Sequence, residues 1–191
     1  MAATEPIRDK NQVRELAEYY LKSGQLRNYC LVVLGVHTAL RVSDLLRLRW
    51  EDVYDFKSFH VRKNVAVTEQ KTGKTKIVTL NKKAVQALSL YAAQVPEPRG
   101  FLIVNIRTKK AISRIQAYRI IRGAAEALKL QGRVSCHSLR KTFGYHAWKA
   151  GVSPAVIMEI FNHSSLAVTR RYLGVSQDDK DKVYLGLSFF A

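Results

Sequence analysis

The stretch LRNYCLVVLGVHTAL, residues 26–40, is apolar on nearly every side of a helix. A surface helix shows one apolar stripe, whereas a helix apolar all round has to be enclosed by the rest of its chain. Its longest unbroken apolar run, Cys30 to Val36, is far below the ~20 residues that a membrane span needs. The stretch is therefore a central core helix, predicted to run up to Arg41, and the remaining elements have to pack around it.

Those elements are readable from periodicity and caps. Asp9 is an N-cap for a helix carrying Val13, Leu16, Ala17, Tyr20 and Leu21, and Gly24 closes it. Ser43 is positioned to cap a short helix over DLLRLRWEDV. The texture then changes to alternation: FHVRKNVAVTEQKTGKTKIVTL predicts a β-hairpin or small meander with its turn near Thr72-Gly73. Asn81 caps a helix with Val85, Leu88 and Ala92 inward. VPEPRG is a loop, and FLIVN is a short apolar segment. Ser113 caps a helix with Arg114, Arg119 and Arg122 on its polar side. Ser135 or His137 begins another, stopped by Gly151, and Ser153-Pro154 is a cap followed by a first-turn proline. Ser176 with Asp179 resembles a capping box for a last helix. The expected class is α+β, mostly helical with a small antiparallel hairpin or sheet and six to eight helices. Residues 1–175 form one domain and 176–191 a C-terminal tail.

Charge narrows the partner. The 191 residues hold 32 Lys and Arg against 15 Asp and Glu, a net +17. Self-repulsion of that size opposes folding and serves a polyanion, with nucleic acid first and an anionic membrane surface second. No basic amphipathic helix with exposed aromatics supports the membrane reading. Two cysteines, Cys30 and Cys136, form no disulfide framework and no metal site by themselves. The N-terminal MAATEPIRDKNQ lacks the apolar core of a signal peptide. A reducing, intracellular compartment is expected.

The chemistry concentrates between Ser135 and Gly174. His137 and Arg140, three apart, share one helix face. His163 and Tyr172 follow. Upstream, Arg41 closes the central helix, with Asp44 placed to fix its guanidinium. Lys71 sits in the hairpin turn near Lys74 and Lys76. Taken singly, each has an ordinary reading as a cap, a solvated charge or interfacial packing. Converged, they make a cationic pocket holding one phenol, which suits attack on a phosphodiester.

Three segments, TALRVSDLLRLRWEDV, HSLRKTFGYHAWKAG and FNHSSLAVTRRYLG, resemble the tyrosine recombinase (phage integrase) family, over about residues 9 to 175. That family's signature of Arg, Lys, His-x-x-Arg, His or Trp, and Tyr falls on Arg41, Lys71, His137, Arg140, His163 and Tyr172. Asp44 matches the acidic residue of its R-x-S-[ED]-L segment. The resemblance implies a catalytic domain in which Tyr172 attacks DNA to give a 3′-phosphotyrosyl bond. Arg41 and Arg140 would clamp the phosphate, His137 would serve as general base, His163 would donate to a phosphate oxygen, and Lys71 (or Lys74) would be the acid. It implies no metal and no cofactor, because arginines carry the charge that Mg²⁺ carries elsewhere.

The partners implied are double-stranded DNA and further copies of the chain in a synaptic multimer, a tetramer on DNA, in the bacterial or phage-infected cytoplasm at the nucleoid. Arg114, Gln116 and Arg119 occupy the family's major-groove helix, against a plain solvated face. Two departures stand out. The usual LGH reads FNH at Phe161-Asn162-His163. The chain also starts only some 40 residues before Arg41, as in a fragment or in short forms resembling fimbrial-switch invertases. Rival readings are relaxation of the type IB topoisomerase kind and a non-catalytic DNA-binding regulator. The apolar endpiece, Leu187, Phe189 and Phe190, either tucks onto its own core or docks on a neighbouring protomer.

Overall fold

In a computed structural model of the chain, which describes residues 4–175 and 177–188, the central helix is present and enclosed. Two helices lead in, α1 (Lys10–Lys22) and α2 (Leu26–His37), followed by two single turns, α3 (Val42–Leu45) and α4 (Trp50–Val53). Four strands come next: β1 (Tyr54–Asp55), β2 (His60–Val61), β3 (Asn64–Thr68) and β4 (Thr75–Thr79). The second half is helical: α5 (Lys82–Gln94), α6 (Arg114–Ala127), α7 (Cys136–Lys149), α8 (Pro154–Ile160), α9 (Leu166–Leu173) and α10 (Gln177–Gly186). The expected α+β class is observed. Ten helices among the described residues exceed the six to eight expected, because DLLRLRWEDV divides into the single turns α3 and α4 and because α9 follows the His163 turn as a helix of its own.

The core explains the order. Ten of the eleven positions from Leu26 to Val36 are buried, Arg27 being the exception, and α1, α5, α6 and α7 pack around them. Each fully buried Leu or Val there contributes roughly 1.5–3 kcal/mol. The predicted caps hold the surrounding helices. Asp9 accepts from Asn11 N–H, Asn81 from Ala84 N–H, Ser153 from Val156 N–H, and Ser113 forms a capping box with Gln116. The call for a box at Ser176 lies outside the described residues.

Three local expectations are corrected. The central helix stops at His37 rather than Arg41, because Ala39 adopts a left-handed φ of 56° and turns the chain. A non-glycine residue there costs about 1–2 kcal/mol, and the turn aims the Ala39 carbonyl at Arg140. Ser43 is not a cap. Arg41 is the N-cap of α3, and the segment DLLRLRWEDV breaks in two because its middle pairs elsewhere. Leu102 N–H donates to Leu48 O and Trp50 N–H to Gly100 O, so Phe101 and its neighbours serve as a bridge to Arg49. The sheet region is two antiparallel pairs, β1 with β2 and β3 with β4, and the second closes at Gly73 with a φ of 68°. That hairpin carries its valines inward: Val65 and Val67 on β3, Val78 on β4.

A second, smaller core lies beneath α7, α8 and α9, made of Ala39, Ile157, Phe161 and Leu173 with Phe143, Trp148 and Tyr172 against it. Gly144 of α7 permits this packing. A Cβ there would lie 2.9 Å from two ring carbons of Phe161, which is fully buried, and 3.7 Å from the Tyr172 carbonyl. Gly144→Ala should gain up to ~1 kcal/mol of helix propensity but lose roughly 1–3 kcal/mol to overpacking. The expected net result in a thermal melt is a Tm lower by about 2–5 °C; an unchanged or higher Tm would refute the tight α7–Phe161 contact.

After α9, capped by Gly174, the tail forms α10, tied to α7 by an ion pair between Lys149 and Asp179. Val183, Tyr184, Leu185 and Leu187 are exposed, so these tail residues do not tuck onto the core. Phe189 and Phe190 lie outside the described residues. No helix among the described residues is long and apolar enough to cross a membrane.

Candidate active site

Five of the predicted side chains meet where the two cores join. Arg140, on α7, is 1% exposed, with its guanidinium over the Phe161 ring, 4.3 Å from centroid to Cζ. It donates to the carbonyls of Ala39 and, at 2.6 Å, Phe161. Arg41 reaches the same Phe161 carbonyl at 3.4 Å. These oxygens come from two chain breaks, the left-handed turn at Ala39 and the end of α8, where unsatisfied carbonyls gather. Burial, and then the nearby Arg41, pull the Arg140 guanidinium down to about 10. The pocket is thus short of negative charge.

One carboxylate answers part of that shortage. Glu69, 0% exposed, lies 2.7 Å from Arg41 Nη1 and 3.0 Å from Lys76 Nζ. Lys76 also donates to the Ile160 carbonyl at 2.9 Å. Burial alone would raise the Glu69 carboxyl, but contacts with Lys76 and Arg41 outweigh it and hold it down to about 2. Among the described residues, the buried side-chain N and O atoms without an aligned hydrogen bond are Arg41 Nη1, Asp44 Oδ2, Glu69 Oε1 and Arg140 Nε. Arg41 Nη1 and Glu69 Oε1 are nonetheless held in ion pairs, with Glu69 and Lys76 respectively, so the atoms left without a partner among the described residues are Arg140 Nε, within the cluster, and Asp44 Oδ2, outside it.

The nucleophile candidate is in reach of this charge. The Tyr172 ring packs 4.6 Å from His163, 5.0 Å from His137 and 5.3 Å from Phe161, centroid to centroid, with Arg140 Cζ 6.0 Å away. It therefore sits in its own chain's pocket. His163 contacts Thr169 Oγ1 through Nδ1 at 3.0 Å and Arg140 through Nε2 at 3.5 Å. Since Arg140 can only donate, that network assigns the Nδ1–H tautomer. His137 is an exposed residue whose ring backs onto Tyr172. Desolvation, then Lys141, Arg140 and Arg41, push its imidazole down to about 4. Desolvation, then Arg140 and Arg41, do the same to His163, also to about 4. Both rings are neutral at pH 7.

This makes stability acid-sensitive. Between pH 6.5 and about 4 the unfolded chain binds protons at these histidines that the folded chain refuses, so stability present above pH 6.5 drains away as pH falls. Solvent screening of the half-exposed His163 leaves about 1 kcal/mol from it. The Tm of the DNA-free protein should drop by roughly 2–4 °C more between pH 7 and 4.5 than that of His163→Asn. Parallel melting curves for the two proteins would refute it.

The remaining predicted residues lie elsewhere. Lys71 and Lys74 are exposed around the hairpin turn. Asp44 is buried, but accepts from Gln70 N–H at 3.0 Å rather than pairing with Arg41, whose charge partner is Glu69. A one-turn helix points Asp44 at the hairpin, which corrects the expected Arg41–Asp44 contact. Arg114 and Arg119 are exposed on α6, whereas the Gln116 carbonyl is held by Ser113 N–H in the capping box. Glu69 and Lys76 escaped the sequence reading. Strand alternation marks both, since Glu69 continues the inward face of Val65 and Val67, and Lys76 lies on that same face with Val78, opposite Val67.

The description Phage integrase family matches residues 8–178. The chain belongs to that family. It is 36% identical over 184 residues to the probable integrase/recombinase YoeC of Bacillus subtilis (strain 168), covering 96% of this chain and 97% of YoeC. The fold is that of the solved tyrosine recombinases. The crystal structure of the XerA recombinase superposes with a TM-score of 0.78 at 23% identity, over 97% of this chain and 65% of that one. The XerH site-specific recombinase bound to palindromic difH substrate, a post-cleavage complex, gives 0.76 at 16% identity, over 96% of this chain and 53% of XerH. The integrase-family chain thus spans nearly all of YoeC and about half to two thirds of the Xer proteins it matches. The departure from the family's LGH is absorbed locally. Phe161 becomes the stacking surface for Arg140, and Asn162 takes a left-handed φ of 51°, which asparagine tolerates.

Proposed function

We propose that the chain is a DNA strand transferase that cleaves and rejoins double-stranded DNA through a phosphotyrosyl bond on Tyr172, as a site-specific recombinase. The observation that carries this is the Tyr172 ring packed between two neutral imidazoles and beside the Arg140 guanidinium, with Arg41 meeting Arg140 at the Phe161 carbonyl. Net charge of +17 supports a DNA partner, as does XerH, whose matching fold is seen on its DNA substrate.

The chemistry follows from the side chains. The Tyr172 oxygen attacks the phosphorus, and the bond to the 5′ oxygen breaks. Charge grows on the non-bridging oxygens, and Arg41 and Arg140 meet it with planar, bidentate donors. His137 takes the phenol proton. A ring held near 4 is a weak base, but an arriving phosphate anion raises it as the base is needed. His163 carries its proton on Nδ1, so donating to phosphate requires it to release Thr169 or take up a second proton on Nε2. The leaving oxygen is protonated by a hairpin lysine, Lys71 with Lys74 as alternative, whose exposed turn faces no competing partner in the pocket. Lys76 is held by Glu69 and the Ile160 carbonyl, and so supplies charge. The phosphotyrosyl bond keeps the phosphodiester energy, so the reverse attack by a 5′ hydroxyl rejoins the strand. Synapsis of two sites needs further protomers, and the exposed apolar residues at the end of α10, Val183, Tyr184 and Leu185, offer contacts for one.

The test is a pool of nicked duplexes with a randomised core, in which the leaving strand diffuses away after cleavage. The protein should form a denaturant-resistant adduct, with phosphate mapped to Tyr172 and one core sequence enriched. DNA binding without any adduct would leave only a binding module.

A further inference from the structure

The mechanism above leaves Glu69 without work, although a buried anion in a phosphate-binding pocket opposes the ligand by like charge. A carboxylate in that position is tolerated only when well paired, and the pairing is informative. Its Oε2 meets Arg41 at 2.7 Å and accepts from Thr72 Oγ1 at 3.0 Å, while its Oε1 meets Lys76 at 3.0 Å. Its own backbone closes the hairpin, Glu69 N–H donating to Lys74 O at 3.0 Å and Gly73 N–H donating to Glu69 O at 2.9 Å. Arg41 and Lys76 then reach across to two consecutive carbonyls at the end of α8, Phe161 and Ile160. Among the described residues, Glu69 is therefore the one side chain that joins the hairpin turn to both cations facing α8.

Resting on the strand-transfer reading above, we infer that Glu69 is a positioning residue: it holds the Arg41 guanidinium in register with Arg140 for the phosphate, and through Thr72 it ties that register to the turn bearing Lys71 and Lys74. Without the carboxylate, Arg41, Lys76 and Arg140 confront one another with no full negative charge between the first two. Like charges at that range separate, and Arg41 has solvent to move into. A guanidinium that must be re-ordered during the reaction stabilises the transition state less than one already in place. The effect belongs in the rate, because binding draws on phosphate contacts over the whole basic surface.

The experiment uses the full chain and the duplex enriched from the nicked pool, with wild-type adduct as control. If the wild type forms no adduct, strand transfer itself fails; the Glu69 inference is judged where the wild type cleaves. Glu69→Gln should slow adduct formation at saturating duplex by roughly 10–100-fold, with Kd within about threefold. Glu69→Asp, which keeps the charge, should recover part of that rate. Thr72→Val, an exposed change that spares the buried pair, should slow cleavage by about 2–5-fold at unchanged Tm, and it decides the matter should Glu69→Gln not fold. Wild-type rates in Glu69→Gln would overturn the inference. Tighter binding with equal or faster cleavage would overturn it too, making Glu69 a competitor of the phosphate. Equal losses in Glu69→Gln and Glu69→Asp would assign Glu69 a packing role only.

Discussion

Replacing Tyr172 by Phe is expected to abolish the covalent protein–DNA adduct, to less than ~10⁻⁴ of the wild-type rate, while Kd for the same duplex stays within about threefold. The substitution removes one oxygen and nothing else. Among the described residues none hydrogen-bonds that hydroxyl, and the ring's contacts with His137, His163 and Phe161 are all made by carbons that Phe retains. Stability should change by less than ~0.5 kcal/mol, so a lost adduct cannot be traced to a lost fold. No other phenol in the described chain touches both Arg140 and the two histidines. An adduct that persists in Tyr172→Phe, at any rate close to wild type, would take the nucleophile away from Tyr172.

The placement of this tyrosine shows what a sequence can and cannot carry. The ordered set Arg41, His137, Arg140, His163 and Tyr172 was legible through the resemblance of three segments to the tyrosine recombinase signature, and each residue type in it answers one chemical need of a phosphodiester. The central helix was legible because apolar residues on all faces admit one environment. Its end was not, because Leu40 is as buried as the helix before it, and hydrophobicity does not report the left-handed turn at Ala39. DLLRLRWEDV read as one helix because the pairing of Leu48 and Trp50 with residues 100–102 is long-range. Glu69 and Lys76 failed for a related reason. Alternation put them on the inner faces of their strands, yet charged residues near a turn ordinarily face water. What buries them is the carbonyl end of α8, 84 residues along from Lys76, and no local pattern announces that arrival. Asp44 was paired with Arg41 on sequence proximity, when the nearer relation in space was to the hairpin.

The same carbonyl ends explain why Arg140→Lys should be the most damaging charge-conserving change. Arg140 donates to Ala39 O and to Phe161 O and lies over the Phe161 ring, and the proposed strand transfer asks it to face the phosphate as well. A guanidinium has five N–H groups in a rigid fork, whereas an ammonium has three about one point and no plane to stack. Lysine can serve the carbonyls or the phosphate, not both with good geometry. One carbonyl left unsatisfied in a site 1% exposed costs about 1–3 kcal/mol, which should lower the Tm by roughly 3–8 °C. Cleavage should fall by about 10²–10³-fold, the scale for losing one preorganised donor to a developing oxyanion. DNA affinity should drop much less, since the unit charge remains. Arg140→Ala adds a cavity and a second bare carbonyl, so its loss of activity would mix folding with chemistry; the lysine variant separates them. Arg140→Lys cleaving within about fivefold of wild type at saturating duplex would mean that positive charge, and not the planar fork, is what the pocket draws from this residue.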